Sequence, residues 1–273
     1  MSSARARSEC SSGTPAVNRD AQGDAETTVA GPSKIGMALP ATTWRIRTVS
    51  GGDQEWDWDE GPPQPRTLAP ARRTTADSMS RHTPVRMMCQ TTGTFLMLDS
   101  GLEYELARVL DRDPSVVWLT AQPLQLAFKG GPRHTPDLLA EHADGRVVVW
   151  DARPVEKRDE AFERVADLTA QACAAVGWEY AVFDSPEAAE QLNTLWLRNF
   201  RHAPGWPHHD LEIQLLRSAS TPVTVGELIQ SDEGDGHLAA LMWHLLWTGE
   251  LVTALSRRIT ADTPVCASES TRA

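Results

Sequence analysis

The stretch from Arg133 to Arg153 constrains the fold more than any other part of this sequence. A short run from Thr135 to Glu141 leads to a turn at residues 143–145, and a β-branched run follows from Arg146 to Ala152. The Asp-Gly pair in the turn supplies the positive φ that a tight connection between two antiparallel strands needs. The pattern therefore predicts a β-hairpin.

Two acids and one base occupy this hairpin. Asp137 opens the first strand behind Pro136, and Asp151 and Arg153 lie two residues apart at the end of the second. Side chains two residues apart on a strand point to the same face, so the hairpin can bring two carboxylates and a cation together. Such a group suits phosphodiester hydrolysis with Mg²⁺, which prefers carboxylate and water oxygens. Taken alone, the spacing is more often only a same-face ion pair.

These parts stand in an order that resembles the Pro-Asp…(Asp/Glu)-x-Lys pattern of restriction-endonuclease-like nucleases. Pro136-Asp137 supplies the first part and Asp151-Ala152-Arg153 the last. The segment from Val85 to Trp206 is most similar to the TnsA-like endonuclease subunit of heteromeric transposases. Further residues that carry the similarity are Glu103 on an upstream helix, Gln122-Pro123 before the hairpin and Gly177-Trp178-Glu179-Tyr180 after the next helix.

The resemblance implies a fold, an activity and partners. The fold is α/β, a restriction-endonuclease-like mixed sheet flanked by helices. The activity is that of a Mg²⁺-dependent DNA endonuclease, with Mn²⁺ as a possible replacement, that serves DNA transposition by cutting at transposon ends. Asp137, Asp151 and Glu103 would be metal ligands, and Arg153 would neutralise phosphate charge during catalysis. The implied partners are DNA, an integrase-type transposase subunit and an ATPase regulator of transposition.

Two residues leave alternatives open. Arg153 stands where the family pattern has lysine; it can clamp phosphate, but it cannot give up a proton to act as a base. Lys157 could reach back as a substitute. Glu103 closes a Ser100-x-x-Glu103 capping box and is equally typical of a helix cap. The alternative function is therefore a catalytically inactive adaptor, or a DNA- or protein-binding module, that retains the nuclease fold.

The charge of the chain argues against simple DNA binding. The net charge is −11, and residues 85–206 carry 12 Lys and Arg against 18 Asp and Glu. DNA-binding surfaces are normally basic. Either the basic residues cluster on one face or, as the resemblance favours, a partner protein delivers the DNA.

The flanks of the nuclease-like domain (85–206) differ in character. Residues 1–84 are rich in small and polar residues, which predicts a largely disordered segment. Within it, the stretch Asp53–Glu60 alternates acid with Trp and is either a solvated acidic run or a docking segment. Residues 207–273 carry three helical patterns followed by an extended run. They resemble the winged helix-turn-helix of TnsA-like proteins, but the third helix lacks basic residues, with Arg257 and Arg258 the only close cations.

Other features of the sequence indicate where such a chain would work. No apolar run approaches the length of a membrane span, and the N-terminus lacks the apolar segment of a secretion signal. The four cysteines are far apart, which is typical of neither a zinc knuckle nor a disulfide framework. We expect a cytoplasmic bacterial protein without a membrane partner, associated with the nucleoid when bound to DNA.

Overall fold

The computed structural model describes residues 42–56, 61–71 and 84–268. They form a mixed α/β structure that divides into two compact units. Among the described residues, the first unit comprises residues 42–111 and 115–185, and the second comprises residues 112–114 and 186–268. None of the helices in these ranges is long and apolar enough to cross a membrane.

The first unit contains eleven strands and two helices. The helices are α1 (Gly101–Arg112) and α2 (Glu160–Ala174). The strands are β1 (Thr42–Thr48), β2 (Asp53–Glu55), β3 (Leu68–Ala69), β4 (Val85–Met88), β5 (Phe95–Leu98), β6 (Val116–Ala121), β7 (Leu124–Phe128), β8 (Arg133–His134), β9 (Leu138–His142), β10 (Val147–Ala152) and β11 (Glu179–Phe183).

A four-stranded mixed sheet lies at the centre of this unit, in the order β6-β9-β10-β11. Strands β9 and β10 are the predicted hairpin; they pair antiparallel, and Gly145 in their turn has a φ of 86°. Strands β10 and β11 pair parallel, so the chain needs the crossover that α2 provides. Gly177 ends this connection with a φ of 75°, as its position after the apolar stripe of the helix predicts.

The two faces of the mixed sheet are covered differently. Helix α1 and the β4–β5 hairpin bury one face around Leu98, Leu106 and Leu138. Helix α2 and a second sheet, in the order β2-β1-β7-β8 with β3 added beside β1, bury the other face around Trp44 and Val149. Both faces of the hairpin are therefore shielded from solvent, which explains why most residues of β9 and β10 are apolar.

The prediction that residues 1–84 are largely disordered is wrong for residues 42–56 and 61–71. Strand β1 pairs with β7 from Thr42↔Phe128 to Ile46↔Leu124, and Trp44 and Ile46 are buried. Asp53 to Glu55 of the proposed docking segment form β2 beside β1, while residues 57–60 lie outside the described ranges. A partner strand far along the chain, rather than local composition, orders this segment.

The apolar stripe before Gly177 predicts one helix from Glu156 to Val176, with Lys157 in its first turn, but the helix begins later. Val155–Lys157 form a separate 3₁₀ turn, and α2 starts after Asp159, whose side chain accepts a hydrogen bond from the Phe162 amide. Asp159 is therefore the N-cap that sets the start. Lys157 precedes the helix instead of lying one turn inside it.

The second unit combines helices with a small antiparallel sheet. Its elements are α3 (Ala188–Leu197), α4 (His209–Ser218), β12 (Val223–Thr224), α5 (Val225–Gln230), α6 (His237–Thr248), β13 (Leu251–Val252) and β14 (Pro264–Ala267), and the sheet order is β12-β14-β13. The three predicted helical patterns are present as α4, α5 and α6. The unit begins at residue 186, whereas the sequence placed the boundary after Trp206, because Leu197 of α3 packs into the core of this unit.

Candidate functional site

Asp137 and Asp151 meet where β9 begins and β10 ends. The Asp137 amide donates to Oδ1 of Asp151 at 3.3 Å, and the Ala152 amide donates to Oδ2 of Asp137 at 2.7 Å. Each carboxylate is thus held by an amide of the opposite strand. The hairpin register brings the two acids together, as the sequence predicted.

Asp151 is the more enclosed of the two acids. It is 3% exposed, and its Oδ2 accepts hydrogen bonds from Nε2 of His134 at 2.8 Å and from the hydroxyl of Tyr180 at 2.5 Å. Burial, followed by the charge of Asp151, raises the pKa of Tyr180, so the phenol remains a donor. A carboxylate that accepts from three donors is fixed in orientation.

Glu103 both caps α1 and lies near this pair. Its Oε2 accepts from the Asp99 amide at 2.7 Å, and its own amide donates to Oγ of Ser100 at 3.2 Å. The capping box of the sequence is therefore present in a shifted form, since the side chain satisfies Asp99 rather than Ser100. Glu103 is buried, and its charge also raises the pKa of Asp137.

Gln122 joins two further parts of the site. Its side-chain amide donates to Oδ2 of Asp99 at 2.8 Å, and its backbone amide donates to the Asp137 carbonyl at 2.8 Å. Its φ of 48° is the only positive value at a described non-glycine residue, and the residue is buried. Left-handed backbone at a non-glycine residue is typical of positions that the surrounding structure over-determines.

The electrostatics of the site are set by crowded carboxylates. Burial raises the pKa of Asp137 well above its ordinary value, and the charges of Asp151, Glu103 and Asp99 raise it further. Among the described residues, Oδ1 of Asp137 has no hydrogen-bond partner. A divalent cation would relieve this crowding, so the donor set fits a hard cation such as Mg²⁺.

These carboxylates could hold a cation only with few protein ligands. Within the part of the chain that the structure describes, no group of three or more His, Cys, Asp or Glu side chains is placed to hold a metal ion. Mg²⁺ commonly binds through one or two carboxylates and keeps several waters. Asp137 and Asp151 would supply such a pair, with Glu103 beside them.

Arg153 does not share this geometry. It follows the last residue of β10, and its Nε donates to the Lys157 carbonyl at 2.9 Å. Its guanidinium carbon lies 5.5 Å from the centre of the Phe162 ring. The contacts of Arg153 therefore belong to the connection between β10 and α2, and His134 and Tyr180 contact Asp151 instead.

Four residues of the site could not be assigned from the sequence. In the sequence, Gln122 is marked only by its place before the hairpin, and Tyr180 only by the resemblance to TnsA-like proteins. Asp99 and His134 carried no signal at all, because β5 and β8 bring them to the acids through pairing that local sequence does not encode.

The comparisons with known proteins found no family model that matches the chain, and no match among curated proteins. The site itself therefore indicates the function. Its defining features are the adjacent carboxylates of Asp137 and Asp151, the nearby Glu103 and Asp99, and the two donors on Asp151.

Proposed function

We propose that this chain is a metal-dependent DNA endonuclease subunit of a heteromeric transposase, which hydrolyses phosphodiester bonds at transposon ends with an integrase-type partner. The observation that carries the proposal is the meeting of Asp137 and Asp151 in a crowded carboxylate site. The mixed sheet supports it, since the hairpin, α2 and β11 follow one another as the resemblance implies. Three of the helices of the second unit, α4 to α6, and its antiparallel sheet support the winged-helix-like part of the proposal.

Asp137 and Asp151 would hold the cation, with Glu103 able to contact it directly or through water. Oδ2 of Asp151 already accepts two hydrogen bonds, from His134 and Tyr180, which occupy its two lone pairs. Oδ1 of Asp137, which accepts no hydrogen bond among the described residues, is therefore free for a ligand, and Oδ1 of Asp151, which accepts only the Asp137 amide, keeps one lone pair for it. His134 and Tyr180 orient the carboxylate from behind, a role that outer hydrogen-bond partners usually play at metal sites.

A bound Mg²⁺ would lower the pKa of a water molecule and offset the charge that develops on the phosphate. Asp137 and Asp151 would hold the cation so that this water and the scissile phosphate lie next to Asp137. The proposal gives Arg153 the role of neutralising phosphate charge, for which its guanidinium must leave the Lys157 carbonyl. Lys157 is exposed and lies close in sequence to the same connection.

The charge of the chain supports dependence on a partner. Residues 85–206 have six more acidic than basic residues, 18 against 12, so DNA would be repelled from most of this surface. A partner transposase that holds the transposon end would place the phosphate at the site without help from a basic surface.

A second candidate function is an inactive adaptor with the same fold. Two contacts favour it. The Arg153 guanidinium donates to the Lys157 carbonyl instead of facing the acids. One oxygen of Asp151 is already occupied by hydrogen bonds from His134 and Tyr180. An adaptor would keep these contacts for stability alone. It would have no reason to bind a divalent cation at Asp137.

Nicking of supercoiled plasmid that carries transposon ends tests the proposal. Wild type, Asp137→Asn, Asp151→Asn and Arg153→Ala are compared with Mg²⁺ or Mn²⁺, with and without the candidate transposase. Asp144→Asn is the matched control, because Asp144 is an exposed acid in the turn of the same hairpin. We expect nicking that requires metal and partner, survives in the control and falls to background in both aspartate variants.

Two results would contradict the proposal. Folded wild-type protein that shows no nicking under any of these conditions would favour the adaptor. Nicking that persists in Asp151→Asn would mean that the reaction takes place elsewhere.

A further inference from the structure

The loop between β13 and β14 is held in one shape by a buried asparagine. Asn193 of α3 is 6% exposed, and its side-chain amide donates to the Leu255 carbonyl at 2.8 Å and to the Arg257 carbonyl at 2.7 Å. Its Oδ1 accepts from the Ile259 amide at 3.3 Å. All three bonds go to the backbone of the loop, so they fix its path without involving its side chains.

The other side of the same loop is fixed by the first turn of α5. The Val225 amide donates to the Thr263 carbonyl at 3.0 Å, and the Gly226 amide donates to the Ala261 carbonyl at 2.7 Å. A Cβ atom at Gly226 would lie only 3.0 Å from that carbonyl oxygen, so glycine permits the close approach. The backbone of this loop, which we name the basic loop (residues 253–263), is therefore held on two sides.

Two adjacent arginines lie at the tip of the basic loop. Arg257 and Arg258 are exposed, and neither guanidinium has a hydrogen bond or an ion pair within the described ranges. Apart from this pair the segment is acidic: residues 186–268 contain three other arginines and no lysine, against ten Asp and Glu. The arginine pair concentrates two positive charges in an otherwise acidic unit, which favours contact with a polyanion there.

The helix that precedes the basic loop is unable to read DNA bases. Helix α6 contains no Lys or Arg, and six of its twelve residues are buried. Its Trp243 packs against Trp196 and Phe200, and Nδ1 of His244 donates to the Phe200 carbonyl at 2.7 Å. Base readout needs exposed polar side chains on a helix that can enter the major groove.

We propose that the basic loop is a contact for the phosphate backbone of duplex DNA, through Arg257 and Arg258, and that the contact is independent of sequence. The inference rests on the proposed function, which makes DNA the substrate. A guanidinium binds phosphate oxygens with two parallel hydrogen bonds, and the fixed backbone keeps the entropy cost of that contact small. Contacts to phosphate position a protein on the duplex but carry no base information.

Duplex binding by the full chain tests the proposal, in EDTA so that no cleavage occurs. Fluorescence anisotropy over a series of salt concentrations is measured with a transposon-end duplex and with its scrambled sequence. We expect Arg257→Ala and Arg258→Ala each to make the slope of log K against log[salt] shallower by about 0.9, and the double variant by about 1.8, equally on both duplexes. Arg217→Ala is the matched control, since Arg217 is exposed on α4 of the same unit, and its slope should equal that of wild type.

Several outcomes would overturn the proposal: no duplex binding by wild type at low salt, an unchanged slope in the double variant, or a loss restricted to one of the two sequences. Loss of transposase binding with unchanged DNA binding would assign the arginines to an acidic protein surface instead. Metal-dependent nicking is scored separately. If nicking is absent but the salt slope changes in the Arg257 and Arg258 variants, only the proposed endonuclease activity is refuted. If nicking occurs but the salt slope is unchanged in these variants, only the proposed DNA contact is refuted.

Discussion

The hydroxyl of Tyr180 donates to Oδ2 of Asp151 at an O–O distance of 2.5 Å. The two residues come from neighbouring parallel strands, in which Asp151 pairs with Val182 and Tyr180 with Val149. Because residues two apart on a strand share a face, the register places the phenol beside the carboxylate. The orientation of the Asp151 side chain is therefore fixed by β11, the strand that follows α2.

Tyr180→Phe should destabilise the first unit, since it removes a hydrogen bond to a buried charge. We expect a loss of about 1.5–3 kcal/mol in the free energy of unfolding, measured by urea denaturation. A double-mutant cycle with Asp151→Asn isolates the contact, and the coupling energy should exceed about 0.5 kcal/mol. Additive losses in the two variants would mean that Tyr180 stabilises the sheet only through its ring.

At position 122, glycine should be more stable than alanine, which is the reverse of the order at an ordinary helical position. Gln122→Ala and Gln122→Gly both lose the bond to Asp99, but only glycine relieves the φ of 48°. We expect the glycine variant to be the more stable of the two by about 1 kcal/mol, measured by thermal unfolding.

Gln171 provides the control for this comparison. It is exposed in the last turn of α2, where glycine should be less stable than alanine by up to about 1 kcal/mol. If glycine were also the less stable variant at position 122, the left-handed backbone there would not be strained.

Asp137→Asn should stabilise the protein in EDTA, and the gain should grow with pH. The pKa of Asp137 is raised in the folded protein by burial and by Asp151, Glu103 and Asp99. The stability that its proton contributes is complete below the ordinary pKa of aspartate and is lost as pH rises through the raised folded pKa. Asparagine stays neutral, so its advantage over wild type should appear across that interval.

Urea unfolding of wild type and Asp137→Asn across a pH series measures this difference. Asp144→Asn serves as the control, because its carboxylate lies exposed in the hairpin turn. An advantage of Asp137→Asn that is constant with pH, or that shrinks as pH rises, would contradict the crowding of charge at the site.

Asn193→Ala should loosen the basic loop. The substitution leaves the Leu255 and Arg257 carbonyls without the donor that they share, at an expected cost of about 1–3 kcal/mol. Hydrogen exchange should accelerate at residues 255–259 while both arginines remain. Asn199→Ala is the control, because Asn199 is exposed and its side chain bonds the Trp196 carbonyl. This variant should change neither the stability nor the hydrogen exchange of the loop. Equal exchange in both variants would show that Asn193 does not hold the loop.

The sequence predicted those parts of the fold that local pattern encodes. The Asp-Gly turn and the β-branched run defined the hairpin, and a helical apolar stripe ending at Gly177 defined α2. The meeting of Asp137 and Asp151 followed from the hairpin register alone. Each of these signals lies within a short segment and needs no distant partner.

The remaining parts depend on distant pairing or on where an element ends. Trp44 and Ile46 alternate with Arg45 and Arg47 as a half-buried strand should, but the surrounding small and polar residues concealed that signal. The prediction for Arg153 assumed that β10 continues to it. The strand ends at Ala152 and Pro154 follows, so the period of two no longer fixes the direction of the Arg153 side chain.

Strand β1 also sets a limit on how far this chain can be shortened. A fragment starting at Val85, where the more apolar sequence begins, would lose Trp44 and its edge-on ring contact with Trp178. It would also leave β7 with an open backbone edge along the five positions that β1 now occupies. An uncovered edge next to an opened apolar surface invites pairing with other copies, so such a fragment should aggregate, and loss of its activity would say nothing about catalysis by the intact chain.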